Sequence, residues 1–161
     1  MNRILKFALL IFAMSFVAIG CRKDNDASLI NTWKIEKMSL KQMTFNNQVD
    51  AFTQAMIKGY LEKYLEEEIS PEMVGGIFDF RSNGEVFITS PDGEDTEIGT
   101  YTTDGNILSI NDGDVVLSGR YTISKNTLYW DIGTEFLGFG NEFLETMGIT
   151  NLTFRLTFTK K

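Results

Sequence analysis

Closely spaced turn signals constrain this chain more than any other feature of its sequence. In the second half, tight turns built from Asn, Asp, Ser and Gly recur at intervals of about ten residues, which is typical of an all-β domain. The turns are Ser82-Asn83-Gly84, Pro91-Asp92-Gly93, Asp104-Gly105-Asn106, Asn111-Asp112-Gly113 and Ser124-Lys125-Asn126. Asn-Gly and Asp-Gly supply the positive φ angles that tight hairpins need. The spacing therefore predicts consecutive antiparallel hairpins.

Short β-prone runs lie between these turns and on both sides of them. We predict strands at 30–38, 77–82, 85–90, 96–103, 106–110, 114–123, 127–132 and 151–159. In the last run Leu152, Phe154, Leu156 and Phe158 share one face, and polar residues occupy the other. One apolar face and one polar face are typical of an antiparallel sheet with one side in solvent.

Two helical insertions interrupt the strands. Apolar residues at helical spacing predict a helix over Asp50–Ile69, with Asp50 as N-cap and Ser70-Pro71 as its end. A second apolar stretch, Thr134–Gly148, predicts a short or broken helix. Because a meander with two free edges is prone to aggregation, closure is favoured. We predict a mostly β fold: an antiparallel eight-stranded up-and-down barrel with a helix after strand 1 and a short helix before the last strand.

The N-terminus has the organisation of an export signal. A basic segment, residues 2–6, precedes an apolar run, Phe7–Ile19, that is short for a permanent membrane span. The run ends in Ile19-Gly20-Cys21 and polar residues follow at once. This resembles the bacterial lipobox, in which Cys21 would be diacylated on sulfur, separated from Gly20 and acylated on its new amino group. The alternatives are an ordinary secretory signal followed by an unrelated cysteine, and an uncleaved anchor helix.

The lipobox resemblance divides the chain into three parts: a lipoprotein signal peptide (1–20), a lipidated tether (21–28) and a single β-barrel domain (29–161). Cys21 is the one cysteine of the sequence, so the fold has no intramolecular disulfide, and lipidation explains an unpaired cysteine in an exported protein. Three acyl chains hold a membrane far more firmly than one. We expect a lipid-anchored protein of the cell envelope.

The residues behind Cys21 bear on which membrane face the protein occupies. Lys23, Asp24 and Asp26 resemble the short charged export tag of Bacteroidetes surface lipoproteins. The alternative interpretation is a solvated tether. We expect the outer membrane, with the cell surface as the location that the tag would imply.

Several short motifs occur in one order along the mature chain. They are Leu29–Trp33, Phe78-x-Phe80 with Gly84, Gly99–Tyr101, Asn126–Leu128 and Leu152–Leu156. In this order they resemble lipocalin-like lipoproteins of unknown function from Bacteroidetes. Lipocalins proper begin with Gly-x-Trp, and Asn31 stands where that glycine should be. They also carry an arginine that packs over the tryptophan; Arg155 is the candidate for this contact with Trp33, although its strand position is on the polar face.

An eight-stranded barrel has room for packed side chains or for one small ligand. The inward-facing candidates for ligand binding are Trp33, Phe78, Phe80, Leu117, Tyr121, Trp130, Phe154 and Phe158. Under one interpretation they line an apolar pocket that one or both helices close. Under the other they fill the core, and the helices plug the ends of the barrel.

The composition argues against catalysis and against nucleic acid as a partner. The chain has no histidine, so it lacks the usual base near neutral pH and the commonest metal ligand. A lipidated Cys21 would be unavailable for thiol catalysis or zinc binding. A formal net charge of −7 opposes binding to phosphate backbones. The acidic turns at Asp92 and Asp112 lack the ligand spacing of an EF-hand loop. We therefore expect no enzyme activity, cofactor or metal.

Two hypotheses from different functional classes remain. The first is a membrane-anchored lipoprotein whose lipocalin-like barrel binds a small apolar ligand. The second is an interaction or inhibitor module with a filled, ligand-free barrel, which contacts an envelope protein partner through hairpin loops or the acidic helix surface.

Overall fold

The chain forms a closed barrel in which each strand is antiparallel to its neighbours in sequence, and the first strand pairs with the last. A computed structural model describes residues 28–113, 115–134 and 141–161. The strands are β1 (Thr32–Phe45), β2 (Ile77–Phe80), β3 (Glu85–Thr89), β4 (Thr96–Asp104), β5 (Ile107–Asn111), β6 (Val116–Ser124), β7 (Thr127–Ile132) and β8 (Ile149–Lys160). The predicted eight-stranded up-and-down barrel is confirmed, and Trp33 of the first strand pairs with Lys160 of the last.

The helices lie where the insertions were predicted. Helix α1 (Ala51–Tyr64) begins at the N-cap Asp50, whose carboxylate accepts hydrogen bonds of 3.0 Å from two backbone N–H groups of the first turn. A π-helical turn (Leu65–Ile69) and helix α2 (Ser70–Met73) continue the same path. The prediction that Ser70-Pro71 ends the helix is wrong, because the first turn of a helix needs no N–H from proline. Helix α3 (Asn141–Thr146) precedes β8.

Alternating side chains fill the interior of the barrel. The largest of those with under 2% exposure are Trp33, Trp130, Phe80, Phe154 and Phe158. Aromatic rings meet edge-on in this core, with centroid distances of 5.4 Å for Phe78–Phe158 and 5.0 Å for Phe80–Tyr101. Trp33 donates its indole N–H to the carbonyl of Leu29 at 2.9 Å, which fastens the residues before β1 to the core.

The pairing of β1 with β2 is much shorter than its pairing with β8, and this difference shapes one end of the barrel. β1 pairs with β8 from Trp33 to Phe45, but it pairs with β2 only over Thr32–Lys34. Backbone hydrogen bonds of Ile35 with residues 75 and 76 follow the last of these pairs. Farther along, β1 still pairs with β8 but no longer with β2, and it contacts α1, the π-helical turn and α2. The helices therefore cover a part of the barrel that β2 is too short to reach.

The two ends of the barrel differ in what connects their strands. At the end that we call the tether end lie residues 28–31, which precede β1, and the hairpins at 81–84, 105–106 and 125–126. At the opposite end, the helical end, lie the connections at 46–76, 90–95, 112–115 and 133–148. The predictions on the signal peptide at 1–20, on Cys21 and on the tether up to residue 27 lie outside the described residues, as do Asp114 and residues 135–140.

Candidate ligand site at the helical end

An apolar cavity of about 590 Å³ lies between α1 and the strands at the helical end. Its lining residues are Met43, Met56, Ile57, Tyr60, Leu61, Tyr64, Met147, Ile149 and Leu152. The hydroxyl groups of the two tyrosines are the polar side-chain groups in this lining. The volume falls within the range of typical small-molecule sites, about 300 to 1,000 Å³.

Strand pairing and helical spacing together position this lining. The long ribbon of β1 and β8 places Met43 opposite Leu152, two pairs before the last pair of the ribbon, Phe45–Ile149. On α1, residues 56, 57, 60, 61 and 64 follow the spacing that puts side chains on one helix face. Leu61 is buried, whereas Met56 and Tyr60 are 60% and 69% exposed. The cavity is therefore closed on its Leu61 side and open to solvent past Met56 and Tyr60.

Three of the lining residues are methionines. Met43 belongs to β1, Met56 to α1 and Met147 to the turn between α3 and β8. An unbranched thioether side chain can adjust its rotamers to differently shaped apolar groups. The lining is thus adaptable as well as apolar.

The residues predicted to bind a ligand lie elsewhere. Trp33, Phe78, Phe80, Tyr121, Trp130, Phe154 and Phe158 are buried in the barrel core, and Leu117 is partly buried against it. The core brings Phe78, Phe80 and Phe158 into ring contact. None of these eight predicted residues lines the cavity at the helical end. At their level the barrel interior is occupied by packed side chains.

Trp130 is a special case among these residues. Its indole N–H is buried and has no hydrogen-bond acceptor among the described residues, in contrast to that of Trp33. A buried donor without a partner destabilises a fold by roughly 1–3 kcal/mol. An acceptor that reached Trp130 would remove this penalty.

Sequence reasoning missed part of the lining for a local reason. Met43 lies beyond the predicted end of the first strand at residue 38, and two register shifts, at Ile35/Lys37 and Leu40/Gln42, lie between Ile35 and Met43. Each shift changes the side-chain parity, so simple alternation does not tell which face Met43 occupies. The α1 residues belong to the apolar stripe that predicts the helix. The width of that stripe was a signal that sequence reasoning could have used. The stripe is wider than the face that the helix buries, and Phe52, Met56 and Tyr60 are left exposed.

Arg155 does not make the predicted contact with Trp33. It is paired in register with Ser39, and its guanidinium donates to both carboxylate oxygens of Asp131 at 2.7 and 3.0 Å. Lys41 also donates to Asp131. Burial alone would raise the pKa of Asp131, but the hydrogen bonds from Arg155 and Lys41 outweigh it and hold that pKa below its ordinary value. The ion pair clamps β7 to the β1–β8 ribbon.

A second groove of about 410 Å³ runs beside the first, between β1 and the π-helical turn. Its lining mixes charged and apolar groups: Glu36, Lys37, Met38, Ser39, Leu40, Glu62, Leu65, Glu66, Ser70 and Val74. Within the described ranges, no three His, Cys, Asp or Glu side chains are grouped closely enough to hold a metal ion. Of the two, the apolar cavity has the more uniform lining.

Two further findings concern the chain as a whole. Among residues 28–113, 115–134 and 141–161, no helix has both the length and the apolar character to cross a membrane. Comparison with protein-family models, curated proteins and solved structures finds no significant match to this chain.

Proposed function

We propose that this protein is a membrane-anchored lipoprotein of the lipocalin-like type, without enzyme activity, that binds a small apolar ligand between α1 and its barrel. The observation that carries the ligand is the cavity of about 590 Å³, whose lining has no charged side chain. Burying apolar ligand surface there contributes about 25 cal/mol per Å² before the entropic penalty of binding. The anchor rests on the apolar run that ends at Cys21.

The site differs from an interior barrel pocket. Packed aromatic side chains fill the barrel at seven of the eight predicted positions, and Leu117 packs against them, so we place the ligand at the helical end. The exposed flank of Met56 and Tyr60 gives it a route from solvent without opening the barrel. Binding should therefore require no unfolding of any strand pair.

A protein-interaction role is the second candidate, and the exposed stripe on α1 favours it. Phe52, Met56 and Tyr60 follow one another at intervals of one helical turn, and each is at least 60% exposed. Apolar residues in such a row are common in surfaces that bind proteins. The two functions assign different roles to Phe52, because it belongs to the exposed stripe but does not line the cavity.

The test uses this difference between two exposed residues of one helix. All eight strands and the buried core lie within residues 29–160, so a chain of residues 22–161 contains the whole barrel. We expect this chain to bind the neutral fluorophore N-phenyl-1-naphthylamine. Met56→Asp should weaken binding by about tenfold or more, because it puts a carboxylate into the apolar lining. The matched control Phe52→Asp should bind as the native chain does.

Fluorescence titration measures both affinities, and thermal unfolding checks that the two variants fold alike. Absence of fluorophore binding by the native chain would contradict the ligand function. If envelope proteins crosslink to the native chain and both substitutions abolish that crosslinking, the interaction role is supported instead.

A further inference from the structure

We infer that the ligand of the apolar cavity is a cationic amphiphile: an apolar chain that ends in an amine or quaternary ammonium group. The inference rests on the proposed function and adds the charge of the ligand's head group. It follows from the distribution of charged residues around the two ends of the barrel.

The helical end is strongly acidic. The acidic residues in its described connections are Asp50, Glu62, Glu66, Glu67, Glu68, Glu72, Asp92, Glu94, Asp95, Asp112, Glu142 and Glu145. Its connecting segments contain two basic residues, Lys58 and Lys63. A surface with carboxylates so concentrated raises the local concentration of cations and lowers that of anions.

The two lysines of α1 and Lys41 of β1 are already paired with carboxylates. Lys58 lies 3.9 Å from Glu62, and Lys63 lies 3.6 Å from Glu67. Lys41, on the outer face of β1, binds Asp131. At these three lysines an anionic head group would have to displace a carboxylate partner. Lys37 has no ion pair among the described residues, but the groove that it lines also contains Glu36, Glu62 and Glu66. In the described part of the chain, Glu66 and Glu145 have no ion pair, and they lie two residues from the lining residues Tyr64 and Met147.

The acidity belongs to this end and not to the whole surface. At the tether end the connecting segments 81–84, 105–106 and 125–126 and the final residue carry Arg81, Lys125 and Lys161 and no acidic side chain. Glu85 and Asp104 are acidic residues at the strand ends beside these hairpins. The charge difference between the ends therefore places the cavity in the negative part of the protein's field.

The lining itself also suits a cation. Tyr60 and Tyr64 contribute their rings to the cavity, and the face of a tyrosine ring attracts an ammonium group within about 6 Å of its centre. The methionine and leucine side chains accept the apolar chain. Of the cationic, neutral and anionic forms of one amphiphile, only the cation is attracted by both the rings and the carboxylates.

Three probes with the same alkyl chain separate the head group from the chain: dodecylammonium, dodecanol and dodecanoate. We expect calorimetric titration of residues 22–161 at low salt, below micelle-forming concentrations, to give an affinity for dodecylammonium about tenfold or more above that for dodecanoate. Dodecanol should fall between them. Raising the salt concentration should narrow the difference, because the carboxylates are exposed.

A pair of charge-neutral variants locates the effect. Glu66→Gln with Glu145→Gln should weaken dodecylammonium binding roughly threefold, as expected for the loss of two exposed carboxylates that attract a cation through water, and leave dodecanol unchanged. The control, Glu85→Gln with Asp104→Asn, removes the same charge at the tether end and should change neither affinity. Met56→Asp should reduce binding of dodecanol, since the chain occupies the cavity.

The outcomes distinguish the head-group inference from the proposed function. If dodecanol binds but dodecylammonium binds no more tightly than dodecanoate, the cationic head group is wrong and the apolar site stands. If the variant with Glu66→Gln and Glu145→Gln binds dodecylammonium as tightly as the native chain does, the preference does not come from these carboxylates and the inference fails. If none of the three probes binds, both the head-group inference and the proposed function fail.

Discussion

Gly119 marks a very close approach between two neighbouring strands. A Cβ atom at this position would lie 2.0 Å from the carbonyl oxygen of Asp131 on β7, a distance that real Cβ contacts do not show. We expect Gly119→Ala to lower the free energy of unfolding by about 3 kcal/mol, because β6 and β7 must separate to admit the methyl group. Urea denaturation of the native chain and the variant measures this loss.

Gly59 is the matched control for this substitution. It lies in the middle of α1, and a Cβ atom there would meet nothing within 4 Å. Gly59→Ala should therefore raise the free energy of unfolding by about 0.5–1 kcal/mol through helix propensity. If Gly119→Ala proved as harmless as Gly59→Ala, the close pairing of β6 with β7 would be contradicted.

Asp131 makes the stability of the barrel depend on pH. The pKa of this group is lowered in the folded protein, since hydrogen bonds from Arg155 and Lys41 outweigh the opposing effect of burial. Its stabilising contribution is therefore present above the ordinary aspartate pKa of about 3.9, and it is lost as the pH falls through the lowered pKa. We expect Asp131→Asn to reduce stability by roughly 1–3 kcal/mol at pH 7. The difference from the native chain should shrink steadily below about pH 4.

Chemical denaturation at a series of pH values tests this dependence. Asp104→Asn is the control, because Asp104 is exposed and has no ion pair in the described part of the chain. This control should stay within about 0.5 kcal/mol of the native chain at pH 7. If the difference in free energy of unfolding between the native chain and Asp131→Asn stayed constant from pH 7 to pH 2, the carboxylate would not act through its charge.

At the scale of elements, sequence predicts the structures that local chemistry determines. The hairpin turns need backbone angles with positive φ, and Gly84, Gly105 and Lys125 adopt them, with φ of 87°, 61° and 55°. Such turns leave a signature within three or four residues. The aromatic residues assigned to the interior are inside for a similar reason, because the strands between turns alternate regularly.

The candidate site depends on contacts that no local pattern contains. The apolar stripe of α1 predicts a helix, but it does not specify that Met56 and Leu61 face a β1–β8 ribbon longer than β2. That geometry arises because β1 continues to Phe45 through three register shifts, whereas β2 begins late and pairs with β1 over three residues. The cavity lies between α1 and the long β1–β8 ribbon, so it becomes visible only once the strand pairs are known.

At the scale of the whole molecule, the start of the described chain and the cavity lie at opposite ends of the barrel. Ser28, the first described residue, precedes β1 at the tether end, whereas α1 and the cavity lie at the helical end. With Cys21 lipidated as proposed, residues 22–28 can span at most about 25 Å when fully extended. Arg81, Lys125 and Lys161 would then face the lipid, where basic side chains gain from an anionic surface. The cavity should open away from the membrane.

Fluorophores attached at the two ends of the barrel test this orientation. Ser82→Cys places a label in a hairpin at the tether end, and Glu94→Cys places one at the helical end; both native side chains are exposed. The thiol of Cys21 would be blocked by its lipid, so each label would have one site. In vesicles whose lipid head groups carry a quencher, we expect strong quenching at position 82 and weak quenching at position 94. A chain of residues 22–161 with the same labels should show no quenching at either position, because it lacks the proposed anchor. Stronger quenching at position 94 would mean that the cavity faces the membrane, and the arrangement of anchor and cavity inferred from the barrel would be wrong.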